Sequence, residues 1–391
     1  MAALPGPVGS SKGNKTKTAM KLTIERAALL KSLAHVQSVV ERRNTIPILS
    51  NVKLEGQGSV LRLNATDMDL DFVEESPAHV ARPGATTVPA HTLYDIVRKL
   101  PDGSQVEIDF SAEDGQLTLR SGRSKFSLAC LPVEDFPALA GGDLPHSFVL
   151  AAAELKALID RTRFAISTEE TRYYLNGIYL HGAATPEGDV LRAAATDGHR
   201  LARVEITLPV GAAGIPGIII PRKAVSEIRK LIDETDGEIL ISLSEAKIRF
   251  SFGNAVLTSK LIDGTFPDYE RVIPPNNDKI LDVNVASFAA SVDRVSAIST
   301  EKSRAIKLSL DKQSVKLSAS SPENGNAEEE IEGDYQSESM EIGFNSRYLM
   351  DILGQIEGGI ARFAMADAAS PTVVRDLAHG GAIYVLMPMR V

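Results

Sequence analysis

KLTIERAALLKSLAHVQSVV (Lys21–Val40), SFVLAAAELKALIDRTRFAI (Ser147–Ile166) and LDVNVASFAASVDRVSAIST (Leu281–Thr300) read alike: a short alternating strand runs straight into an amphipathic helix. Ile24, Leu150 and Val283 hold equivalent strand positions, and Leu29, Leu155 and Phe288 open the apolar face of each helix. A second set follows the same plan. VPAHTLYDIVRKL (Val88–Leu100), IPRKAVSEIRKL (Ile220–Leu231) and FNSRYLMDILGQI (Phe344–Ile356) each leave a strand and enter a helix, with Ile96, Ile228 and Ile352 in matching places. Two alternating strands come after each of these helices: GQLTLRSGRSKFSLACL from Gly115, AKIRFSFGNAVLTSKLI from Ala246 and TVVRDLAHGGAIYVLMPM from Thr372. The turns LPVEDFPAL (Leu131–Leu139) and LIDGTFPDY (Leu261–Tyr269) close two of the units, and the third runs to Val391. Strand–helix starts are common in α+β chains, but ordered agreement in three segments points to a repeat of about 120–130 residues, longer than solenoid repeats. The reading is α+β: three tandem copies of one domain, each made of two strand–helix–strand halves, with two helices on one face of antiparallel sheets. The boundaries fall at 20–143, 144–267 and 268–391.

Length and composition agree. A chain of 391 residues suggests two or three domains, and 43% apolar with 24% charged residues is ordinary for a globular protein. A net charge of −9 argues against a protein that coats itself in nucleic acid by bulk attraction. With 5% aromatics and no Trp, a stacking platform for single strands is also disfavoured. Cys130 is the only cysteine, which excludes an internal disulfide framework and a Cys-based zinc cluster. Among Leu128, Ala129 and Leu131 it reads as a small core residue and not as a catalytic thiol. Residues 1–19 (MAALPGPVGSSKGNKTKTA) lack the apolar run of a signal peptide and are expected to form a disordered leader or expression remnant. No apolar run approaches the ~20 residues that span a bilayer. The expected setting is a reducing, cytoplasmic one.

Basic residues gather around the helices: Lys31, Arg42, Arg43, Arg98, Lys99, Lys156, Arg161, Arg163, Arg222, Lys223, Arg229, Lys230, Arg294 and Arg347. An acidic chain with its cations on one set of elements suits a polyanion passing one face, although such residues also simply solubilise helices. No Gly-rich phosphate loop, HExxH or Gly-x-Ser-x-Gly elbow is present, and no two histidines sit at metal-ligand spacing on a helix. No cofactor or metal is expected. The densest polar motif is ATDGHRLA (Ala195–Ala202). Asp197, His199 and Arg200 would suit the acid–base centre of a hydrolase. A tight Asp-Gly turn between two strands is the alternative, and it fits better.

RYYLNGIYL (Arg172–Leu180), ATDGHRLA, IIIPRKAV (Ile218–Val225), TSKLIDGTFPDYERVIP (Thr258–Pro274), MEIGFNSRYLMDIL (Met340–Leu353) and YVLMPMRV (Tyr384–Val391) resemble the bacterial DNA polymerase III beta subunit family, the replicative sliding clamps. RRNTIPILSN (Arg42–Asn51), GATTVPA (Gly84–Ala90) and RSGRSKFSL (Arg120–Leu128) extend the likeness, which covers Met20 to Val391 in order. The resemblance implies clamp-type domains that assemble as a head-to-tail homodimer into a closed ring, with helices inside and sheet outside. It implies a non-catalytic processivity factor that encircles duplex DNA without regard to sequence. Partners would be the DNA polymerase III alpha subunit, the clamp loader, and other polymerases and repair proteins bearing short peptide motifs.

By local motif, the family's DNA contacts carry over to Arg43, His91, Glu169, Tyr173 and Tyr174. His91 stands where a basic residue is usual and Glu169 where a neutral one is, so both should weaken duplex contact slightly. Without the resemblance the tyrosines read as packing residues. The family's peptide pocket carries over to Leu175, Thr196, Gly198, Arg200, Leu201, Pro267, Arg271, Val272 and Tyr348, and to the C-terminal Val385, Leu386, Met387, Pro388, Met389 and Arg390. Leu201, Val272, Leu386 and Met387 are expected as its floor. Taken alone, VLMPMRV reads as a final core strand.

The ring contact is placed on two charged patches. Arg120, Arg123 and Lys125, interleaved with Phe126 and Leu128, lie near the end of the first repeat. Glu328, Glu329 and Glu330 lie in the third, with Ala297 and Ile298 on its first helix. Opposite charge at front and back suits a heterologous contact, although both runs would also serve as solvated faces.

Overall fold

The computed structural model describes residues 19–42, 45–139, 141–300 and 304–390. Arg43 and nearly all of the proposed leader lie outside the described residues. The chain divides at Ala140/Gly141 into two compact units.

The first unit holds β1 (Met20–Glu25), α1 (Arg26–Val39), β2 (Asn51–Gln57), β3 (Val60–Thr66) and β4 (Leu70–Pro77). A short β5 (His79–Arg82) precedes β6 (Gly84–Pro89), α2 (Ala90–Lys99), β7 (Gln105–Ser111), β8 (Gln116–Ser121) and β9 (Ser124–Ala129). The second unit repeats this βαβββ order. Its first pass is β10 (His146–Ala151), α3 (Ala152–Asp160), β11 (Gly177–Thr185), β12 (Gly188–Thr196) and β13 (Arg200–Thr207). Next come β14 (Ile218–Pro221), α4 (Arg222–Ile232), β15 (Glu238–Leu243), β16 (Lys247–Phe252) and β17 (Ala255–Lys260). The third pass is β18 (Lys279–Asn284), α5 (Val285–Ser296), β19 (Ala305–Asp311), β20 (Ser314–Ser321) and β21 (Gly325–Glu332), with a two-residue β22 (Asp334–Tyr335). The last is β23 (Met340–Asn345), α6 (Ser346–Leu353), β24 (Ile360–Met365), β25 (Thr372–Asp376) and β26 (Ala382–Leu386).

The repeat therefore holds at residue level. Ile24, Leu150 and Val283 each sit two residues before their helix and are buried, as are Leu29, Leu155 and Phe288 in its first turn. Burying each such side chain is worth about 1.5–3 kcal/mol. Helices pack in pairs: α1 on α2, α3 on α4, α5 on α6. Each half carries at least three strands after its helix; after the second helix of each repeat there are three, one more than the alternation suggested. The additional strand after the second helix is QVEIDFS, EILISL or IARFAM, which follows a short turn.

The halves also exchange their leading strands. β1 pairs with β7 and β6 with β2; β10 pairs with β15 and β14 with β11; β18 pairs with β24 and β23 with β19. The exchanged strands tie the two halves of each repeat together. In the second unit a further ladder joins the second repeat to the third: β13 runs antiparallel to β26 from Arg200↔Leu386 to Val204↔Ala382. The result is one sheet, β14-β11-β12-β13-β26-β25-β24-β18-β22.

Candidate binding cleft

The ATDGHRLA motif is the turn from β12 into β13. Asp197 Oδ1 accepts the backbone N–H groups of His199 (2.9 Å) and Arg200 (3.1 Å), and Thr196 Oγ1 donates to the Arg200 carbonyl (2.7 Å). Gly198 takes φ +89°, and a Cβ there would meet the Arg172 guanidinium at 2.5 Å. Glycine takes this backbone without strain and leaves room for the guanidinium. The Asp197 carboxylate is occupied by the turn and by Arg200 Nε (3.2 Å), while the His199 ring stacks on Tyr348. That arrangement is a scaffold and not an acid–base pair.

Arg200 is buried and spans the two repeats. On its own side it bonds Asp197 and the Phe164 carbonyl (2.6 Å); across the boundary it pairs with Asp351 of α6 and lies over the Tyr348 ring (4.3 Å). Both its charge and its donors are met, which is what a buried guanidinium requires.

Beside this turn opens a cleft of ≈ 290 Å³. One side is the 3-10 segment Glu170–Leu175, which contributes Arg172, Tyr174 and Leu175. The turn supplies Thr196, Gly198, His199, Arg200 and Leu201; the linker after β17 supplies Pro267, Asp268, Tyr269 and Val272; the end of β26 supplies Val385 and Met387. Burial pushes the Tyr269 phenol up to about 12, so it stays a neutral donor. Val272 and Met387 are 51% and 41% exposed, large apolar side chains left open beside a concave surface. A flexible thioether and apolar walls with a few fixed polar groups suit an extended peptide.

The remaining pocket residues fall elsewhere. Leu386 is fully buried on the opposite face of β26, because neighbours on a strand alternate; Val385 takes the floor position expected of it. Met387 N–H donates to the His199 carbonyl (3.0 Å), and two residues on Met389 N–H donates to Gly343 (2.7 Å). Pro388, Met389 and Arg390 thus lead away along β23. Tyr348 backs Arg200 without lining the cleft, and Arg271 is exposed and paired with Asp268 (2.6 Å). Arg172, His199, Asp268 and Tyr269 were not assigned to the pocket from the sequence, although all four lie within the quoted motifs RYYLNGIYL, ATDGHRLA and TSKLIDGTFPDYERVIP.

The proposed DNA contacts separate. Tyr173 is exposed and edge-on to Tyr174, which lines the cleft. Glu169 is held by Arg172 (2.6 and 2.8 Å), whose hydrogen bonds keep its carboxyl below the usual range. His91 is committed to α1: one ring nitrogen meets Gln37 (3.1 Å) and the other the Val40 carbonyl (2.9 Å). Many helix cations are neutralised nearby, among them Arg98 by Asp95, Lys156 by Asp233 and Arg229 by Asp160. Among the described residues, Lys99, Arg222 and Arg347 form no ion pair.

The two charged patches differ in kind. Arg120, Arg123 and Lys125 are exposed and form no ion pair among the described residues, with Phe126 half-buried and Leu128 buried. The acidic run is engaged within its own domain: Glu328 with Lys316 (2.7 Å), Glu329 with Arg294 and Ser291, Glu330 with Ser314. Arg294 and Ser291 hold the Glu329 carboxyl down at about 2. Ala297 and Ile298 follow the end of α5 and are not part of it. β9 and β21 each end a sheet.

Repeated α+β domains, a peptide-sized cleft and a motif spent on turn geometry define a binding scaffold. Residues 20–140, 149–268 and 270–390 match the N-terminal, central and C-terminal domains of the DNA polymerase III beta subunit. The beta sliding clamp of Caulobacter vibrioides is 54% identical over 372 residues, 95% of this chain and 100% of its own. A crystal structure of the Caulobacter crescentus beta sliding clamp with bound PEG matches with a TM-score of 0.94 and 54% identity, covering 96% of this chain and 100% of that one. A Bartonella birtlesii DnaN sliding clamp bound to griselimycin matches with a TM-score of 0.93 and 50% identity over 95% of this chain and 100% of that one. The chain belongs to the DNA polymerase III beta subunit family, the beta sliding clamps. It is a processivity factor and not a catalytic enzyme.

Proposed function

We propose that two copies close head to tail into a ring around duplex DNA, and that the cleft beside Arg200 holds short peptide motifs of the polymerase, the clamp loader and repair proteins. The observation that carries the peptide reading is the exposed apolar pair Val272 and Met387 beside the buried, fully partnered Arg200. Exposed Tyr173, with Arg222 and Arg347, which form no ion pair among the described residues, and Arg43, make backbone contacts to DNA that do not read sequence, as sliding requires. The work is cytoplasmic, at the nucleoid during replication. Truncating the chain before Met387 should abolish binding of a peptide with a Gln and a terminal Leu-Phe while leaving the dimer intact. Unchanged affinity would reject the cleft.

For ring closure, β9 of one copy pairs with β21 of the other, satisfying two open sheet edges. Half-buried Phe126 and Ile298 add apolar contact. Because Glu328 and Glu329 of the acidic run are paired within their own domain, Arg123→Glu with Lys125→Glu should slow association and flatten its salt dependence more than it raises the dimer Kd. Stopped-flow mixing at two salt concentrations reads this directly.

A further inference from the structure

The wall formed by Pro267, Tyr269 and Val272 belongs to the linker between β17 and β18 and joins no sheet. Three contacts fix it to the second repeat. Phe266 stacks flat on Tyr179, with ring centroids 4.9 Å apart and planes 8° from parallel. The Tyr269 hydroxyl lies 2.8 Å from His181 Nε2. Since His181 Nδ1 faces the Gly182 carbonyl (3.0 Å) it must carry the proton, so Nε2 accepts and Tyr269 donates. The third contact is ionic: Glu270 pairs with Arg192, a buried residue of β12 whose Nε also meets Glu205 at 2.8 Å.

We infer that Arg192, through Glu270, is a positioning residue that sets the linker wall of the peptide cleft. The inference rests on the reading of that cleft as the peptide site. Arg192 itself does not line the cleft. Its other partner, Glu205, is shared with Arg203 at 3.5 Å, so the cluster of two arginines and two glutamates is balanced only while Glu270 is docked. A buried guanidinium left short of a carboxylate is costly, and this holds the Tyr269–Val272 turn against the sheet. A wall fixed before the ligand arrives spares the peptide the ordering cost.

The test uses the full-length dimer and a labelled peptide with a Gln and a terminal Leu-Phe, read by fluorescence anisotropy. Arg192→Ala should weaken binding about tenfold, Arg192→Lys should recover most of it, and hydrogen exchange at 268–272 should rise in Arg192→Ala. Should Arg192→Ala fail to fold, Glu270→Gln at the half-exposed end of the pair should give the same loss. Val272→Ala serves as the control for the cleft. If Val272→Ala loses affinity while Arg192→Ala or Glu270→Gln stays within twofold of the parent, the positioning role is overturned and the cleft stands. If Arg192→Lys is as weak as Arg192→Ala, shape and not the ion pair holds the wall, and the inference fails. If Val272→Ala itself binds normally, the cleft reading has failed.

Discussion

The turn ATDMDL (Ala65–Leu70) in the first repeat and ATDGHR (Ala195–Arg200) in the second are the same construction put to different uses. Thr66 Oγ1 donates to the Leu70 carbonyl at 2.8 Å, as Thr196 does to Arg200 at 2.7 Å. Asp67 Oδ1 accepts from the backbone N–H of Asp69 and Leu70, as Asp197 does from His199 and Arg200. Met68 takes φ +79° where Gly198 takes +89°. The difference lies in two side chains. At the first site a 48% exposed Met68 and a buried Leu70 close off an ordinary turn. At the second, the missing side chain of Gly198 admits Arg172, and Arg200 reaches α6. The Thr-Asp geometry is thus common to the first two repeats, and in the second the cleft was added to it by what flanks it.

Importing Leu70's solution should have the largest effect. Arg200→Leu strands Asp351 and removes the bond to Phe164, so a loss of about 3 kcal/mol in thermal unfolding is expected together with loss of peptide binding. A variant as stable as the parent would mean the ion pair contributes nothing net. Gly198→Met, which copies the first repeat, forces a Cβ onto Arg172 in a left-handed backbone; about 1–3 kcal/mol and most of the peptide affinity should go. Asp376 offers a third backbone-capping carboxylate for comparison. Burial opposes its ionisation, but the N–H groups of Gly358, Ala378 and Glu357 with His379 outweigh that and hold it at about 2. Its folded value lies below the ordinary one near ~3.9, so the stabilisation of about 2 kcal/mol is present above ~4 and disappears as pH falls through ~2. Asp376→Asn should remove this part of the acid sensitivity in a pH series of melts. The reciprocal swap, Met68→Gly, is the smallest: stability should change by less than about 1 kcal/mol, with peptide affinity untouched.

Much of this was legible in the chain. The repeat was, because buried positions recur at fixed offsets from each helix start, as Ile24 and Leu29 show against Val283 and Phe288. Strand exchange between halves was not, since alternation says which face a strand buries and not which neighbour it finds. The same limit explains Leu386: a one-residue difference of register decides whether it or Val385 faces the cleft. Motif likeness found Leu175, Gly198 and Arg200, but it could not foresee that Gln37 and Val40 take up His91 or that Arg294 claims Glu329. Those depend on elements far apart in sequence.

The ladder from Arg200↔Leu386 to Val204↔Ala382 gives the cleft a mechanical character. Rotating the two repeats apart would tear main-chain hydrogen bonds, so the cleft cannot work as jaws that close on a ligand. It is a socket. Successive occupants meet the same shape at nearly the same cost, and each leaves at a rate set by its own grip.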